Sequence, residues 1–424
     1  MLGPALLAPL LLAAAPDYES AAKAVVNDLS SGQHAKLVQR FAPPMARALP
    51  APQLGAAWKS VTGEAGKFLK VLGVRPTPSP PYMVMDVECA FSRKALNVRV
   101  VLDGHLTVQG LFFTPAWNPP EGLDLKAFTE RAVTVGSKAL PLSGTLTVPN
   151  GKGPFPGVVL VHGSGPNDAD ESLGPNKLFK ELAWGLASRG VVVLRYHKRT
   201  FEHRGKVSNA DVPTVKEETI DDALSAVEVL SKQKEVAPQK LFVAGHSMGA
   251  WLAPRIAAAD PRVHGAVMLA ASARPQWHLV VEQLEYMKSL DSSPRPELEQ
   301  ALANAKESKR KLDDPGLKPT DVVDGIAGTY WLDMRGYDAA KVAVALDRPL
   351  LVLQGGRDYQ VTTTDFESWK KALGAKTSAT LKLYPDLNHQ FMPGSGKSTP
   401  AEYQTLNHVP AAVLVDLAGW LRAN

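Results

Sequence analysis

The strongest constraint on the fold is an alternation of short apolar runs with amphipathic segments, which extends from about Leu123 to the C-terminus. Short apolar runs separated by helices are typical of parallel strands that are buried on both faces of a sheet. The pattern therefore predicts an α/β domain over residues 123–424. The predicted strands are 157–161, 191–195, 240–244, 265–270, 349–354 and 379–384, and the helices between them include 176–188 and 219–231.

One long interval, residues 271–346, breaks this alternation. It contains no clear strand, but its segments 279–290 and 296–312 have helical periodicity. We therefore expect a helical cap that is inserted over one end of the sheet.

Residues 17–118 have a different pattern, which predicts a separate small α+β domain. Helical spacing covers 18–41 and 52–62, and period-two alternation covers 82–91, 95–102 and 106–113. The last two runs are joined by Asp103-Gly104, a dipeptide typical of antiparallel hairpins. A stretch containing Pro, Glu and Gly, residues 115–122, is expected to link this domain to the next one.

The first fifteen residues are an apolar run that ends in Ala13-Ala14-Ala15, as expected for a cleaved signal peptide. At about 1.5 Å per residue, a helix of this length is too short to cross a bilayer of about 30 Å, so no stable membrane insertion is expected. The run lacks Lys and Arg, and Pro16 would follow the cut. We expect an exported protein, periplasmic or secreted. The alternative is a disordered N-terminus on a cytoplasmic protein.

Charge and cysteine content exclude several classes of protein. The net charge is +5, and the 47 basic residues are scattered, so no nucleic-acid partner is expected. The run Lys309-Arg310-Lys311 lies beside Glu307 and Asp313 and predicts a solvated helix face. The single cysteine, Cys89, allows no intramolecular disulfide and no cysteine-based metal cluster. The histidines show no metal-ligand spacing, so we expect no metal and no cofactor. The oligomeric state is left open.

The segment Gly245-His246-Ser247-Met248-Gly249 lies between a predicted strand and a predicted helix. In a G-x-S-x-G turn the glycines let strand and helix approach closely, and the serine occupies a strained position at the end of the strand. A serine hydroxyl is a poor nucleophile unless it is held beside a base. The context favours Ser247 as a nucleophile, and the alternative is a tight turn in which Ser247 caps the helix. We expect the side chain of His246 to point away from this site.

Such a nucleophile needs an acid and a base, in the chain order Ser, Asp or Glu, His. Asp358 and His389 each follow a predicted strand. Since the carboxyl ends of parallel strands share one edge of a sheet, both should converge on the edge where Ser247 lies. We therefore predict Asp358 as the orienting acid and His389 as the base. Asp386 is a rival acid, and His408 is expected to be a capping or surface residue.

A tetrahedral intermediate requires N–H donors for its oxyanion. We predict the backbone N–H of Met248, the residue after the nucleophile, and that of Ser164, in the loop after the first long strand. Gly163 and Gly165 flank Ser164 and let the loop turn its amides inward. The Gly165 amide is the fallback donor, and His162 is expected to hold the loop by hydrogen bonding.

Taken together, five segments resemble the α/β-hydrolase serine esterases of bacteria, in the carboxylesterase branch near the dienelactone hydrolases and the prolyl-oligopeptidase-like hydrolases. The segments are HGSGPNDADE (162–171), LRYHKRT (194–200), GHSMGA (245–250), LQGGRDYQV (353–361) and LNHQFMPG (387–394). The resemblance covers residues 139–420. It implies an α/β-hydrolase fold with a mostly parallel sheet and a helical cap, in which Ser247, Asp358 and His389 form the triad. The domain before it resembles a small uncharacterised α+β domain found ahead of such esterases.

The chain departs from the family pattern at a few positions. Ala169 stands where an arginine is usual, and His197 and Thr200 stand where Asp and Gly are usual. Dienelactone hydrolases use a cysteine nucleophile, whereas this chain has Ser247 there and Cys89 in the other domain. Dienelactone hydrolase activity is therefore disfavoured.

The resulting hypothesis is a serine hydrolase that cleaves small-molecule carboxylic esters through an acyl-enzyme intermediate. One alternative is a peptidase or acyl-aminopeptidase with the same triad, although the residues before the linker are too few for the β-propeller of prolyl-oligopeptidase-type enzymes. A second alternative is a non-enzymatic binding module on the same scaffold. Tyr330, Trp331 and Phe391 are candidates for an acyl pocket or for ordinary packing between cap and core.

Overall fold

The structure is a computed structural model, and it describes residues 16–79, 81–204, 206–207, 213–291, 293 and 295–424. The predicted signal peptide, residues 1–15, lies outside the described residues. The chain divides into two compact units, and the division falls between Asn118 and Pro119.

The first unit is a small α+β domain in which helices pack against a four-stranded antiparallel sheet. Its core joins Val25 and Leu29 of the first helix, Leu54 and Trp58 of the fourth helix, and the inward-facing side chains of the sheet. The strands pair in the order in which they occur along the chain. The elements are α1 (Tyr18–Ser30), α2 (His34–Val38), α3 (Pro43–Ala48), α4 (Ala51–Ala65), β1 (Phe68–Ser79), β2 (Tyr82–Phe91), β3 (Ala95–Leu102) and β4 (Val108–Pro115).

This unit differs from the prediction in two places. The single helix predicted over 18–41 is wrong, because Gly32 has a φ of 74° and ends the first helical segment there. Strand β1 was not predicted. The predicted strands 82–91 and 95–102 are confirmed as β2 and β3, and the Asp103 carboxylate closes the following turn by accepting the backbone N–H groups of His105 and Thr107, both at 2.9 Å.

The second unit is built on an eight-stranded sheet, which confirms the predicted α/β fold. The strands described in the second unit are β5 (Phe128–Gly136), β6 (Pro141–Pro149), β7 (Phe155–Val161), β8 (Ser172–Leu173), β9 (Asn176–Lys177), β10 (Val192–Tyr196), β11 (Val236–His246), β12 (Val263–Leu269), β13 (Val322–Val323), β14 (Ile326–Ala327), β15 (Leu350–Gly355) and β16 (Ala379–Tyr384). Of these, β8–β9 and β13–β14 form two separate two-stranded sheets. The order in the large sheet is β16-β15-β12-β11-β7-β10-β6-β5. The six predicted strands run parallel, whereas β5 and β6, which were not predicted, form an antiparallel edge.

The helices described in the second unit cover both faces of the large sheet or belong to the insertion between β12 and β15. They are α5 (Leu178–Ala187), α6 (Arg199–Glu202), α7 (Asp221–Ser231), α8 (Met248–Ala259), α9 (Gln276–Ser289), α10 (Pro296–Asp313), α11 (Gly328–Gly336), α12 (Ala339–Ala345), α13 (Thr363–Leu373) and α14 (Ala411–Ala423), with a π-helical turn at Lys216–Ile220. In the central strand β7, Val158 and Leu160 pack with α5 and α14, and Val159 and Val161 pack with α7 and α8. Each of these fully buried side chains stabilises the fold by about 1.5–3 kcal/mol.

The insertion between β12 and β15 is more elaborate than predicted. The two expected helices are present as α9 and α10, but the hairpin β13–β14 and the helices α11 and α12 follow them. Helix α12 packs on α8 and α13, and its Ala339 and Ala343 join the buried cluster that includes α8. The remaining inserted elements contribute walls to the cavity that Ser247 and His389 also line.

Candidate active site

The turn at Ser247 joins β11 directly to α8, and it is strained. Ser247 has φ 54° and ψ −117°, a conformation that costs a non-glycine residue about 1–3 kcal/mol. A Cβ on Gly245 would lie 2.0 Å from the Gly249 carbonyl oxygen, and one on Gly249 would lie 2.2 Å from that of Val161. Both glycines are therefore required for the approach of strand and helix. Ser247 occupies the N-cap position of α8, but its hydroxyl makes no capping hydrogen bond. Helix capping therefore does not explain the serine at this position.

The predicted acid and base are in contact. His389 Nδ1 lies 2.6 Å from Asp358 Oδ2, and both side chains are buried. The other carboxylate oxygen of Asp358 accepts the backbone N–H groups of Gln360 at 2.8 Å and Val361 at 2.9 Å. These bonds fix the orientation of the carboxylate, which in turn orients the imidazole. His389 and Ser247 line the same cavity.

The rival residues are placed elsewhere. Asp386 is exposed to solvent, and Asp358 is the carboxylate that pairs with His389. His408 lies just before α14, and its Nδ1 is 2.8 Å from Glu181 Oε1. Neither Asp386 nor His408 lines the cavity.

The loop after β7 passes beside Ser247. The Gly163 N–H is already bound to Glu171 Oε1 at 2.7 Å, whereas the amides of Ser164 and Met248 have no acceptor among the described residues. Both residues line the cavity, and so does the fallback donor Gly165, whose amide also has no acceptor among the described residues. Backbone N–H donors therefore remain for a substrate oxygen. Asn167 Nδ2 donates to carbonyl oxygens of the loop and holds its shape.

His162 has the structural role that was predicted for it. Its Nε2 lies 3.1 Å from the Asp168 carbonyl oxygen, at the far side of the loop. Burial lowers the pKa of His162 to about 4, so the ring is neutral at physiological pH.

The expectation for His246 is wrong. Its ring lies beside that of His389, with centroids 4.6 Å apart, and it lines the same cavity. His246 Nδ1 is 3.1 Å from Glu171 Oε2, and His246 Nε2 is 2.9 Å from the His389 carbonyl oxygen. The sequence predicts neither these contacts of His246 nor the burial of Glu171, because both depend on the course of an irregular loop.

A second buried polar cluster, which the sequence does not predict, contacts the same loop through the Gly163 carbonyl oxygen. Lys198 Nζ donates to the Gly163 carbonyl oxygen at 3.0 Å and lies 2.7 Å from Glu218 Oε1, and both side chains are almost fully buried. The Tyr330 hydroxyl of the cap donates to the other oxygen of Glu218. Burial and the Glu218 carboxylate raise the pKa of Tyr330, so its hydroxyl keeps its proton and remains a donor. Glu218 lies in the π-helical turn, a feature often found at functional sites.

The cavity has a volume of about 440 Å³, within the range of small-molecule sites. The inserted elements contribute an apolar wall, and Tyr330 and Trp331, for which pocket and packing roles were both open, belong to it. Phe391 does not line the cavity and packs in the core near Tyr384. The apolar wall consists of Trp277, Val280, Ile326, Tyr330, Trp331 and Met334.

Other charged and titratable residues lie outside the cavity. On α10, Lys309 pairs with Asp313 and Arg310 with Glu307, which confirms the solvated helix face. Burial raises the pKa of the Cys89 thiol to about 12, so it is not a reactive thiolate. Within the described ranges, no cluster of three or more His, Cys, Asp or Glu residues is arranged to hold a metal ion. Within the same ranges, no helix combines the length and apolarity needed to span a bilayer.

Fold and site define the second unit as an α/β hydrolase. Residues 157–394, more than half of the chain, match the family described as "Serine aminopeptidase, S33". The chain therefore belongs to this family of α/β hydrolases. Residues 22–111 match a family of proteins of unknown function, DUF3887.

The chain is also 40% identical over 372 residues to Esterase EstD of Thermotoga maritima, and the match covers 87% of this chain and 86% of that protein. This relationship confirms the predicted class, an esterase-type α/β hydrolase preceded by a small domain.

Two solved structures resemble the chain more distantly. Est1E from Butyrivibrio proteoclasticus has 15% identity over 69% of this chain and 99% of its own, with a TM-score of 0.45. The esterase domain of a Rhodothermus marinus protein has 17% identity over 70% of this chain and 98% of its own, with a TM-score of 0.43. At these scores neither match bears on the details of the site.

Proposed function

We propose that the protein is a serine hydrolase that cleaves small-molecule carboxylic esters, with Ser247 as nucleophile, His389 as general base and acid, and Asp358 as the orienting carboxylate. The observation that carries this proposal is the 2.6 Å contact of Asp358 with His389, which lines the same cavity as Ser247. The strained turn at Ser247 supports the same assignment, because strain of this kind concentrates at functional sites.

In the proposed reaction, His389 Nε2 takes the proton of the Ser247 hydroxyl as its oxygen attacks the acyl carbon. Asp358 stabilises the resulting imidazolium through Nδ1–H. The amides of Ser164 and Met248 donate to the oxyanion of the tetrahedral intermediate. His389 then gives its proton to the departing alcohol oxygen, which leaves an acyl group on Ser247. A water molecule that His389 deprotonates releases the carboxylic acid and restores Ser247.

The apolar wall that the inserted elements contribute to the cavity supports an uncharged acyl group as the substrate moiety. Transfer of apolar groups to such a wall stabilises binding by about 25 cal/mol per Å² of buried surface. The relative named Esterase EstD supports an ester in preference to an amide.

A peptidase is the second candidate, because the matching family is described as a serine aminopeptidase. An aminopeptidase must bind a substrate ammonium group, for which a free carboxylate is the usual partner. The described carboxylates that line the cavity already have partners: Glu171 faces His246, Glu218 faces Lys198, and Asp324 accepts the Ser308 hydroxyl at 2.7 Å. This arrangement favours ester cleavage.

A substrate panel tests the choice between these activities. Aryl esters with acyl chains of increasing length should be hydrolysed, and amino-acyl anilides should be turned over far more slowly. Anilide turnover well above ester turnover would contradict the proposal. The dependence of kcat/KM on acyl length would also identify the chains that fit the cavity.

We also propose export, which rests on the sequence of residues 1–15 alone. Fractionation of the producing cells, with sequencing of the protein's N-terminus, tests this point. A mature protein that starts at Pro16 in the periplasm or medium would support export, and one that keeps Met1 in the cytosol would contradict it.

A further inference from the structure

One buried carboxylate contacts two of the segments that form the site. Glu171 Oε1 accepts the Gly163 N–H at 2.7 Å, immediately before the proposed oxyanion donor Ser164. Glu171 Oε2 lies 3.1 Å from Nδ1 of His246, the residue before Ser247. His246 in turn donates through Nε2 to the His389 carbonyl oxygen at 2.9 Å.

The environment of His246 identifies its protonation state. Nε2 faces a carbonyl oxygen and Nδ1 faces a carboxylate oxygen, so both nitrogens face acceptors and both are best occupied by protons. Burial alone would lower the pKa of His246, but the Glu171 carboxylate outweighs burial and raises it. The contact at Nδ1 lies off the line of the ring N–H and is an ion pair more than an aligned hydrogen bond.

Backbone conformation supports a specific role for Glu171. Its φ of 48° is unusual for a residue other than glycine, and its buried carboxylate lies between Gly163 of the loop after β7 and His246, the residue before Ser247. The side chain is only 6% exposed, so its charge must be compensated inside the protein.

We propose that Glu171 and His246 are positioning residues. Together they hold the loop after β7 that carries Ser164, the turn that carries Ser247, and the backbone of His389 in one fixed arrangement. This inference rests on the proposed function. It adds two residues that neither the G-x-S-x-G motif nor the chain order of the triad identifies. Displacement of a reacting group by about 1 Å can cost about 100-fold in rate, so such links affect turnover without any contact with the substrate.

Two substitutions at Glu171 separate contact from charge. Glu171→Gln keeps an oxygen that accepts the Gly163 N–H and places an amide N–H near Nδ1 of a neutral His246. The neutral ring still donates from Nε2 to the His389 carbonyl oxygen, so the links to Gly163 and to the His389 backbone persist and only the ion pair is lost. Glu171→Ala removes the acceptor of Gly163 and the partner of His246.

The chain provides a matched control. Glu181 is also buried, accepts the Val409 N–H at 2.8 Å, and lies 2.8 Å from Nδ1 of His408. Like Glu171, Glu181 therefore contacts a backbone amide and a histidine, but it does not line the cavity. Glu181→Ala should lower stability and leave kcat per folded molecule unchanged.

The test uses the full chain and a soluble aryl ester, with active sites counted by a serine-reactive phosphonate. We expect kcat of Glu171→Ala to fall about 100-fold with KM changed less than about threefold, and Glu171→Gln to stay within about fivefold of the parent. Affinity for a boronic acid, whose adduct with serine uses the oxyanion donors, should fall in Glu171→Ala in parallel with kcat.

Either of two results would overturn the inference: parental kcat in Glu171→Ala, or a Gln variant as impaired as the Ala variant. If Glu171→Ala does not fold, His246→Gln and His246→Asn replace it. Gln reaches the position of Nε2 and can keep the link to His389, whereas Asn cannot, so kcat should be at least about tenfold higher for Gln. Equal values would overturn the inference. A parent that neither hydrolyses the ester nor reacts with the phosphonate would instead refute the proposed function.

Discussion

Replacing Asp358 with Asn should abolish most activity while keeping the shape of the site. One carboxylate oxygen accepts the backbone N–H groups of Gln360 and Val361, at 2.8 and 2.9 Å, and an amide nitrogen cannot accept there. The Asn oxygen must therefore occupy that side, and its NH₂ group takes the place of Oδ2, 2.6 Å from His389 Nδ1. The donated hydrogen bond forces the histidine proton onto Nε2, which can then no longer accept the proton of Ser247.

The expected magnitude follows from the loss of the correct tautomer. A change of this kind in serine hydrolases lowers kcat by about 10⁴, which corresponds to about 5.5 kcal/mol of activation free energy. KM for an aryl ester should change by less than about threefold, because the cavity walls are unaltered. Gln354 Nε2, 3.2 Å from Oδ2, would face a second donor, and we expect a stability loss of about 1–3 kcal/mol.

The assay is steady-state hydrolysis of an aryl ester by variants whose folding is checked by thermal unfolding. Asp386→Asn is the matched control, because Asp386 is exposed and near His389 in the chain, and it should retain parental kcat. A kcat for Asp358→Asn within about tenfold of the parent would refute the tautomer argument, and a large loss in Asp386→Asn would point to the rival acid.

Three further predictions concern buried groups around the site. Lys198→Met leaves Glu218 without its ion-pair partner at 2.7 Å and should cost about 3–5 kcal/mol of unfolding free energy in urea. Adding Glu218→Gln to this variant should restore part of the lost free energy of unfolding, and an unchanged free energy would contradict the pairing. Gly249→Ala places a Cβ 2.2 Å from the Val161 carbonyl oxygen and should destabilise by about 1–3 kcal/mol or more with loss of activity; a stable, active variant would be inconsistent with the close approach. Burial lowers the pKa of His162 to about 4 from 6.5, so its contribution to stability is complete above pH 6.5 and is lost as the pH falls towards 4. Between pH 7 and pH 5 this loss should be about 2 kcal/mol in urea unfolding, and the same difference in His162→Gln would show that another group is responsible.

The pairing of Asp358 with His389 could be predicted because regular structure determines it. Strands β15 and β16 are parallel neighbours, with Gly355 opposite Tyr384, and both residues follow these strand ends within a few positions. Chain order and strand ends were therefore sufficient to expect the two side chains at one edge.

The links through Glu171 and Lys198 could not be predicted in this way. Their partners, His246 and Glu218, are distant in the chain, and the contacts depend on irregular segments: a loop with a positive φ and a π-helical turn. A carboxylate in an irregular loop usually lies in solvent, so its type alone gave no sign of burial.

The strands that were missed deviate from simple patterns. Strand β1 contains Pro76 and Pro78 and lies at the edge of its sheet, the position at which proline is tolerated within a strand. Strand β5 is also an edge strand, with residues 129–132 all exposed, so neither alternation nor a continuous apolar run marks it. The parallel strands, by contrast, are buried on both faces and are recognisable as apolar runs.

Covalent labelling of Ser247 tests its role as the nucleophile most directly. A serine-reactive phosphonate should add one mass equivalent to the intact protein, on the peptide that carries Ser247, with loss of ester hydrolysis in proportion to labelling. Ser247→Ala should show neither labelling nor turnover. Labelling of the Ser247→Ala variant at the parental rate, or full ester hydrolysis by it, would contradict the assignment of this residue and the mechanism built on it.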